Sequence, residues 1–270
     1  MRCILTSLAH PAILPAVTPG LPTYPALIRR TPSMILSFLL GRRRSFRADA
    51  QAYLHALQPS VAVGGRSLPD MTSGRWLILT NHYHRAGFPS WWIALASSAL
   101  LPAEVLWVMS AAWTYPDRIR ANIISPLTRW AFTRLAACYG FVTMPTMPPR
   151  PWEVEDRARS VRRVLALAAA STNLIVALAP EGRDTSCGRL EAPAPGVGRF
   201  ISLLTRLGYQ PFPVGVYEAD GRLWVWFGEP MVLDPANDLS SQARENATNE
   251  LVMRSIAACL PRELQGIYGD

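Results

Sequence analysis

Short apolar runs rich in β-branched and aromatic residues alternate with longer helix-patterned stretches along most of the chain, and this alternation restricts it to an α/β fold. Strands are predicted near residues 75–80, 104–109, 139–144, 173–178, 211–217 and 223–227, and helices near 90–101, 119–137, 152–171, 196–207 and 240–260. With 270 residues and no long low-complexity break, the chain has room for one large α/β domain. That domain is placed at residues 61–270 as a mixed sheet flanked by helices. Residues 1–60 read as a helical or irregular N-terminal extension. Its first 33 residues carry Pro11, Pro15, Pro19, Pro22, Pro25 and Pro32 and show neither the charged start nor the cleavage site of a signal peptide.

Composition removes several function classes. All 27 basic residues are Arg, so a Schiff-base lysine, a pyridoxal-phosphate anchor and a Walker A lysine are excluded. Hydrophobic residues make up 50% of the chain, but no uninterrupted run of 18 apolar residues occurs, which excludes a polytopic membrane protein. The segment Met34 to Leu40, followed by Arg42, Arg43 and Arg44, suits either a membrane interface or a short helix packed on the domain with a basic end. A net charge of +8 fits anionic lipid headgroups, an acidic carrier protein, coenzyme A phosphates or nucleic acid. The arginines are dispersed without a recognition motif, so nucleic acid is set aside. Cys3, Cys138, Cys187 and Cys259 lack metal-ligand spacing and read as free thiols; no metal site is expected, although His82 and His84, two apart on a strand, are able to chelate.

Two polar turns follow predicted strands. The first, Asn81-His82-Tyr83-His84-Arg85-Ala86-Gly87-Phe88-Pro89-Ser90, comes after Trp76–Thr80 and holds two of the chain's four histidines. The second, Ala179-Pro180-Glu181-Gly182-Arg183-Asp184, comes after the predicted strand at 173–178. Ligands in α/β proteins gather at the carboxyl ends of strands, which is where both turns sit. Farther on come Gly188-Arg189-Leu190, Pro195-Gly196-Val197-Gly198-Arg199-Phe200 and Pro213-Val214-Gly215-Val216. In this order, over residues 75–217, the segments resemble the glycerolipid acyltransferases of the 1-acylglycerol-3-phosphate type. That family carries Asn-His-x-x-x-x-Asp, then Phe-Pro-Glu-Gly-Thr-Arg, a Gly-x-Gly helix start and a Val-Pro-Val strand.

The resemblance implies a glycerolipid-acyltransferase-like fold and a role in phospholipid biosynthesis. His82 would act as general base on a hydroxyl of a lipid-like acceptor while acyl-CoA or acyl carrier protein donates the fatty acyl group. With no nucleophilic serine or cysteine in a recognisable setting, direct transfer in a ternary complex is expected, together with no cofactor and a peripheral location on the cytoplasmic face of an anionic inner membrane. His84 is the rival base, since alternation on an extended segment puts both rings on one side.

Two positions depart from the family pattern. Gly87 stands where the family has the Asp that orients the histidine, and loss of the equivalent carboxylate in a serine protease costs about 10⁴ in rate. Asp184, Asp117, Asp70 and Glu181 are the candidate replacements, and Asp184 on the second turn is the one expected to supply the anion. Asp184 also stands where the family has an Arg that holds the acceptor's phosphate, so either Arg183 takes over or the acceptor is a neutral alcohol or amine. Gly87 is available for close backbone approach to the thioester or for an oxyanion N–H. Arg85 reads as an oxyanion or phosphate cation, or as a plain loop cation. Asn81, Glu181 and Gly182 are assigned to the substrate pocket with the motif they match. Gly198 and Arg199 read as an anion-binding helix start, or Gly198 as a point of close packing. A non-catalytic lipid- or carrier-binding protein on the same fold is the alternative function.

Overall fold

The computed structural model describes residues 20–24, 32–57, 60–115, 117–185, 188–233 and 240–269. Most of the Pro-rich N-terminal segment, with Cys3, and also Cys187, lie outside the described residues.

Seven strands form one mixed sheet in the order β1-β7-β6-β2-β5-β3-β4. The strands are β1 (Val61–Gly65), β2 (Trp76–Thr80), β3 (Val105–Ser110), β4 (Val142–Met144), β5 (Ile175–Leu178), β6 (Gln210–Ala219) and β7 (Arg222–Phe227). All pairings are parallel except β6 with β7. Among the described residues, seven α-helices accompany them: α1 (Pro32–Leu40), α2 (Phe46–Leu57), α3 (Trp91–Leu100), α4 (Arg118–Tyr139), α5 (Val154–Ala170), α6 (Val197–Arg206) and α7 (Ser241–Ala257). The class is the one the alternation predicts, and the predicted elements lie within a few residues of the observed ones.

The central strands are covered on both faces, and their sequences show why. Trp76-Leu77-Ile78-Leu79-Thr80 and Ile175-Val176-Ala177-Leu178 are buried at every position, the continuous apolar reading of inner parallel strands. In β7, by contrast, Leu223, Val225 and Phe227 are buried while Arg222 is exposed and Trp224 and Trp226 are half-buried. That alternation belongs to a strand with one face on the core.

Two parts of the N-terminal extension belong to the core. Helix α2 buries Phe46, Ala50, Tyr53, Leu54 and Leu57, an i, i+4, i+7, i+8, i+11 stripe, and packs along α3. Tyr24 stacks against Phe88 and Trp92, with ring centroids 5.7 and 5.2 Å away, and Gly20 accepts a backbone hydrogen bond from Gly221. Proline content pointed to loose order here, but a single aromatic side chain with a buried acceptor fastens residues 20–24 to the domain.

The parallel pairing of β5, β2 and β6 positions the site. Leu79 lies opposite Leu178 and Thr80 opposite Val214, so the turns that follow β2 and β5 leave the sheet side by side at the same edge.

Candidate functional site

The first turn is wired to the sheet from behind. The Asn81 side-chain amide donates to the Val216 carbonyl at 2.8 Å and accepts from the Val216 N–H at 2.7 Å, completing the β2–β6 ladder as a backbone peptide would. Glu218, fully buried on β6, takes a forked ion pair from Arg85 through Nε and, at 2.7 Å, Nη2. Its carboxylate also accepts from the Tyr83 hydroxyl at 3.1 Å and the Tyr24 hydroxyl at 2.7 Å. Burial and the Glu218 charge push both phenols above their usual range, so both stay donors. The third Arg85 nitrogen, Nη1, donates to the Ala86 carbonyl at 2.9 Å. Arg85 therefore anchors the turn, and the substrate-cation reading is corrected: each of its three guanidinium nitrogens has a partner within the chain.

The second turn holds the first through Glu181. One carboxylate oxygen accepts from the His82 backbone N–H at 2.6 Å and the other from the Glu191 N–H at 3.2 Å. Burial pushes the Glu181 carboxyl up to about 7, against the two N–H groups that favour its charged form. The Thr185 hydroxyl donates to the His82 carbonyl at 3.1 Å. Gly182 takes φ +66°, which allows the bend that brings Arg183 and Asp184 around.

Between the turns, three side chains converge on Asp184. His82 Nδ1 lies 3.2 Å from Asp184 Oδ1, His84 Nδ1 lies 3.7 Å from Oδ2, and the Ser90 hydroxyl donates to Oδ1 at 3.2 Å. Both Nδ1 atoms are buried and neither meets an acceptor in good hydrogen-bond geometry, so the histidines approach Asp184 at ion-pair distance. Long or misaligned contacts of this kind are common before a substrate tightens a catalytic site. The His82 contact, then the charges of His82 and His84 and the Ser90 hydroxyl, hold the Asp184 carboxyl below its usual range despite partial burial. Asp184 is thus an anion at neutral pH, seated on the Nδ1 side of His82.

The other candidate carboxylates lie elsewhere. Asp117 caps α4, accepting from the Arg120 N–H at 2.9 Å, and Asp70 accepts from the Thr72 N–H at 3.0 Å. Glu181 meets the backbone of His82, not its ring. At Gly87 the backbone holds φ +83°; a Cβ there would meet only Arg85 Nη1, at 3.5 Å. Space is available for an Asp, but the backbone conformation opposes one.

The remaining assigned residues hold structure. Arg183 pairs with Glu191 at 2.9 Å on the surface. A Cβ on Gly198 would come within 2.5 Å of Asn249 Oδ1 and 2.7 Å of the Glu245 carbonyl, so this glycine allows α6 to pack against α7. The start of α6 already has its anion: Glu245 accepts from the Gly196 N–H at 2.7 Å and lies 3.4 Å from Arg199. The packing reading of Gly198 therefore replaces the ligand-anion reading. Among the described residues, no group of three or more His, Cys, Asp and Glu side chains could hold a metal ion.

Sequence reasoning missed Ser90, Thr185, Tyr24, Tyr83 and Glu218. Ser90 alone had a signal, a serine directly before a helix, but it gives α3 no side-chain cap and its hydroxyl turns to Asp184 instead.

No family model and no curated protein sequence matches the chain. Among solved structures, it is similar to the 1-acyl-sn-glycerophosphate acyltransferase PlsC of Thermotoga maritima, with a TM-score of 0.44 and 14% identity over 79% of this chain and 76% of that one.

Proposed function

We propose that the protein is an acyltransferase that moves a fatty acyl group from acyl-CoA or acyl carrier protein to a hydroxyl of a lipid-like acceptor. One observation carries this reading: a carboxylate from the second turn, Asp184, lies 3.2 Å from the ring of the motif histidine, where the resemblance alone leaves His82 without its partner.

With Asp184 on Nδ1, Nε2 of His82 is the ring atom that takes the acceptor's proton as the hydroxyl oxygen attacks the thioester carbonyl. Asp184 fixes the ring and stabilises the imidazolium, remaining ionised itself. Collapse of the tetrahedral intermediate breaks the C–S bond, and the proton on Nε2 passes to the departing thiolate. A new ester and a free thiol result, and His82 returns to its neutral form. Direct transfer also suits the described cysteines. Burial pushes the Cys259 thiol up to about 12 and raises that of Cys138, so neither is poised as a nucleophile.

The test is thiol release from acyl-CoA and acyl carrier protein thioesters of several chain lengths, with lysophosphatidic acid and long-chain alcohols as acceptors. Acceptor-dependent release that disappears in His82→Ala supports the reading. Tight thioester binding without turnover for any donor and acceptor would replace it with a non-catalytic binding protein.

A further inference from the structure

Helix α4 is apolar on two opposite faces, and the domain covers only one of them. Thr128, Ala136 and Cys138 are buried on the inner face. On the outer face Ile119, Ile123, Leu127 and Trp130 are 75%, 65%, 60% and 47% exposed. At 100° per residue these four fall within an arc of about 80°, a continuous stripe along the first half of the helix. Large side chains of this kind, facing outward in a row, mark a surface that something covers.

The stripe continues onto α1. Phe38 meets Trp130 edge-on with ring centroids 5.6 Å apart, and Leu36, Leu39 and Leu40 are each more than half exposed. The charges carried by the two helices themselves have one sign. Neither residues 32–43 nor residues 118–139 contain an acidic residue, while Arg42, Arg43, Arg118, Arg120, Arg129 and Arg134 lie in these two segments. Of these, Arg120 is engaged with Asp117 at the start of α4.

We propose that α1 and α4 form one platform that lies in the plane of an anionic lipid bilayer, with the α4 stripe as its main insertion. A broad apolar strip with a tryptophan, on two helices whose own charges are all arginines, matches the interface of such a bilayer, where acyl chains take the apolar side chains and anionic headgroups take the guanidiniums. No described helix is long and apolar enough to cross a membrane, so the platform lies on the surface. Strand β3 is parallel to β5, so the loop into α4 leaves the sheet at the same edge as the two turns. The bilayer would therefore meet the protein beside the candidate site. The α1–α4 surface is independent of the chemistry proposed for that site.

Flotation of the full chain with phosphatidylcholine vesicles, with and without phosphatidylglycerol, tests this. The protein floats with the anionic vesicles and less so at high salt. Ile123→Asp combined with Leu127→Asp lowers binding tenfold or more while circular dichroism and melting are unchanged, because both side chains are exposed. Leu36→Asp combined with Leu39→Asp gives a smaller loss. The proposal is overturned if the α4 variant binds like the unmodified chain, or if the unmodified chain ignores anionic vesicles. It is also overturned if the α4 substitutions convert a dimer to a monomer without changing vesicle binding, which would make a second copy the occupant.

Discussion

The turns after β2 and β5 sit side by side, yet they are held very differently. The β2 turn is fixed by a fully buried carboxylate, a forked arginine, two tyrosines and an asparagine bound to the neighbouring strand. The tip of the β5 turn, Arg183 and Asp184, is half exposed and contacts mainly the side chains facing it. In the proposed reaction the firmly bonded turn supplies the base and the less bonded one its counter-ion. Substitutions behind the first turn should therefore cost stability, and substitutions at the tip of the second should cost turnover.

The largest effect is expected at the base. His82→Ala lowers thiol release about 10³-fold or more, while His84→Ala, farther from Asp184, retains most of the rate. Equal loss in both would assign the base to the pair and blur the contrast between the turns.

Next comes Glu218→Gln. It leaves the half-buried Arg85 charge without its carboxylate and should cost about 3 kcal/mol of unfolding free energy in a urea titration. A loss below about 1 kcal/mol would mean that the β2 turn does not depend on this network.

Glu181 gives a pH signature. Burial raises its pKa to about 7, above the ordinary 4.5 of a glutamate, so the folded state holds the proton more tightly. Its contribution is fully present below about pH 4.5 and is lost as pH rises through about 7, a change of about 3 kcal/mol in total. Urea titrations across this window should show the loss in the unmodified protein and a flatter profile in Glu181→Gln. Asp184, with its lowered pKa, acts in the opposite sense: its stabilisation is present above the unfolded carboxyl pKa and is lost as pH falls through the folded one.

The smallest effect belongs to Arg183→Ala. Its exposed pair with Glu191 should contribute less than about 1 kcal/mol. A large rise in KM for a phosphate-bearing acceptor, absent for a neutral alcohol, would assign Arg183 to headgroup binding.

Strand and helix positions were legible because β2, β5 and β6 are continuous apolar runs and the later helices carry clear periodicity. Helix α2 carries an equally good stripe, but the Pro-rich context before it drew residues 46–57 into the extension. The convergence of the two turns was implied by the resemblance alone, because chain order does not make β2 and β5 neighbours. Asp184 was set apart from Asp70, Asp117 and Glu181 only by its place on the second turn and its departure from the family pattern, because the four carboxylates differ in tertiary distance and not in local pattern. Glu218 gave no signal: an acid near a strand end reads as exposed, and only Arg85, Tyr83 and Tyr24, far away in sequence, make its burial possible. Arg85 and Gly198 matched residue types that bind ligands elsewhere, and here their neighbours commit them to structure.

The central claim is that Asp184 orients His82 in place of the carboxylate missing at position 87. Measuring the turnover of Asp184→Asn against the unmodified chain, on the thioester and acceptor that the unmodified chain uses best, tests it most directly. The account predicts a fall in kcat of about 10²- to 10⁴-fold, with KM and the urea midpoint nearly unchanged. A full-rate Asp184→Asn enzyme would contradict it.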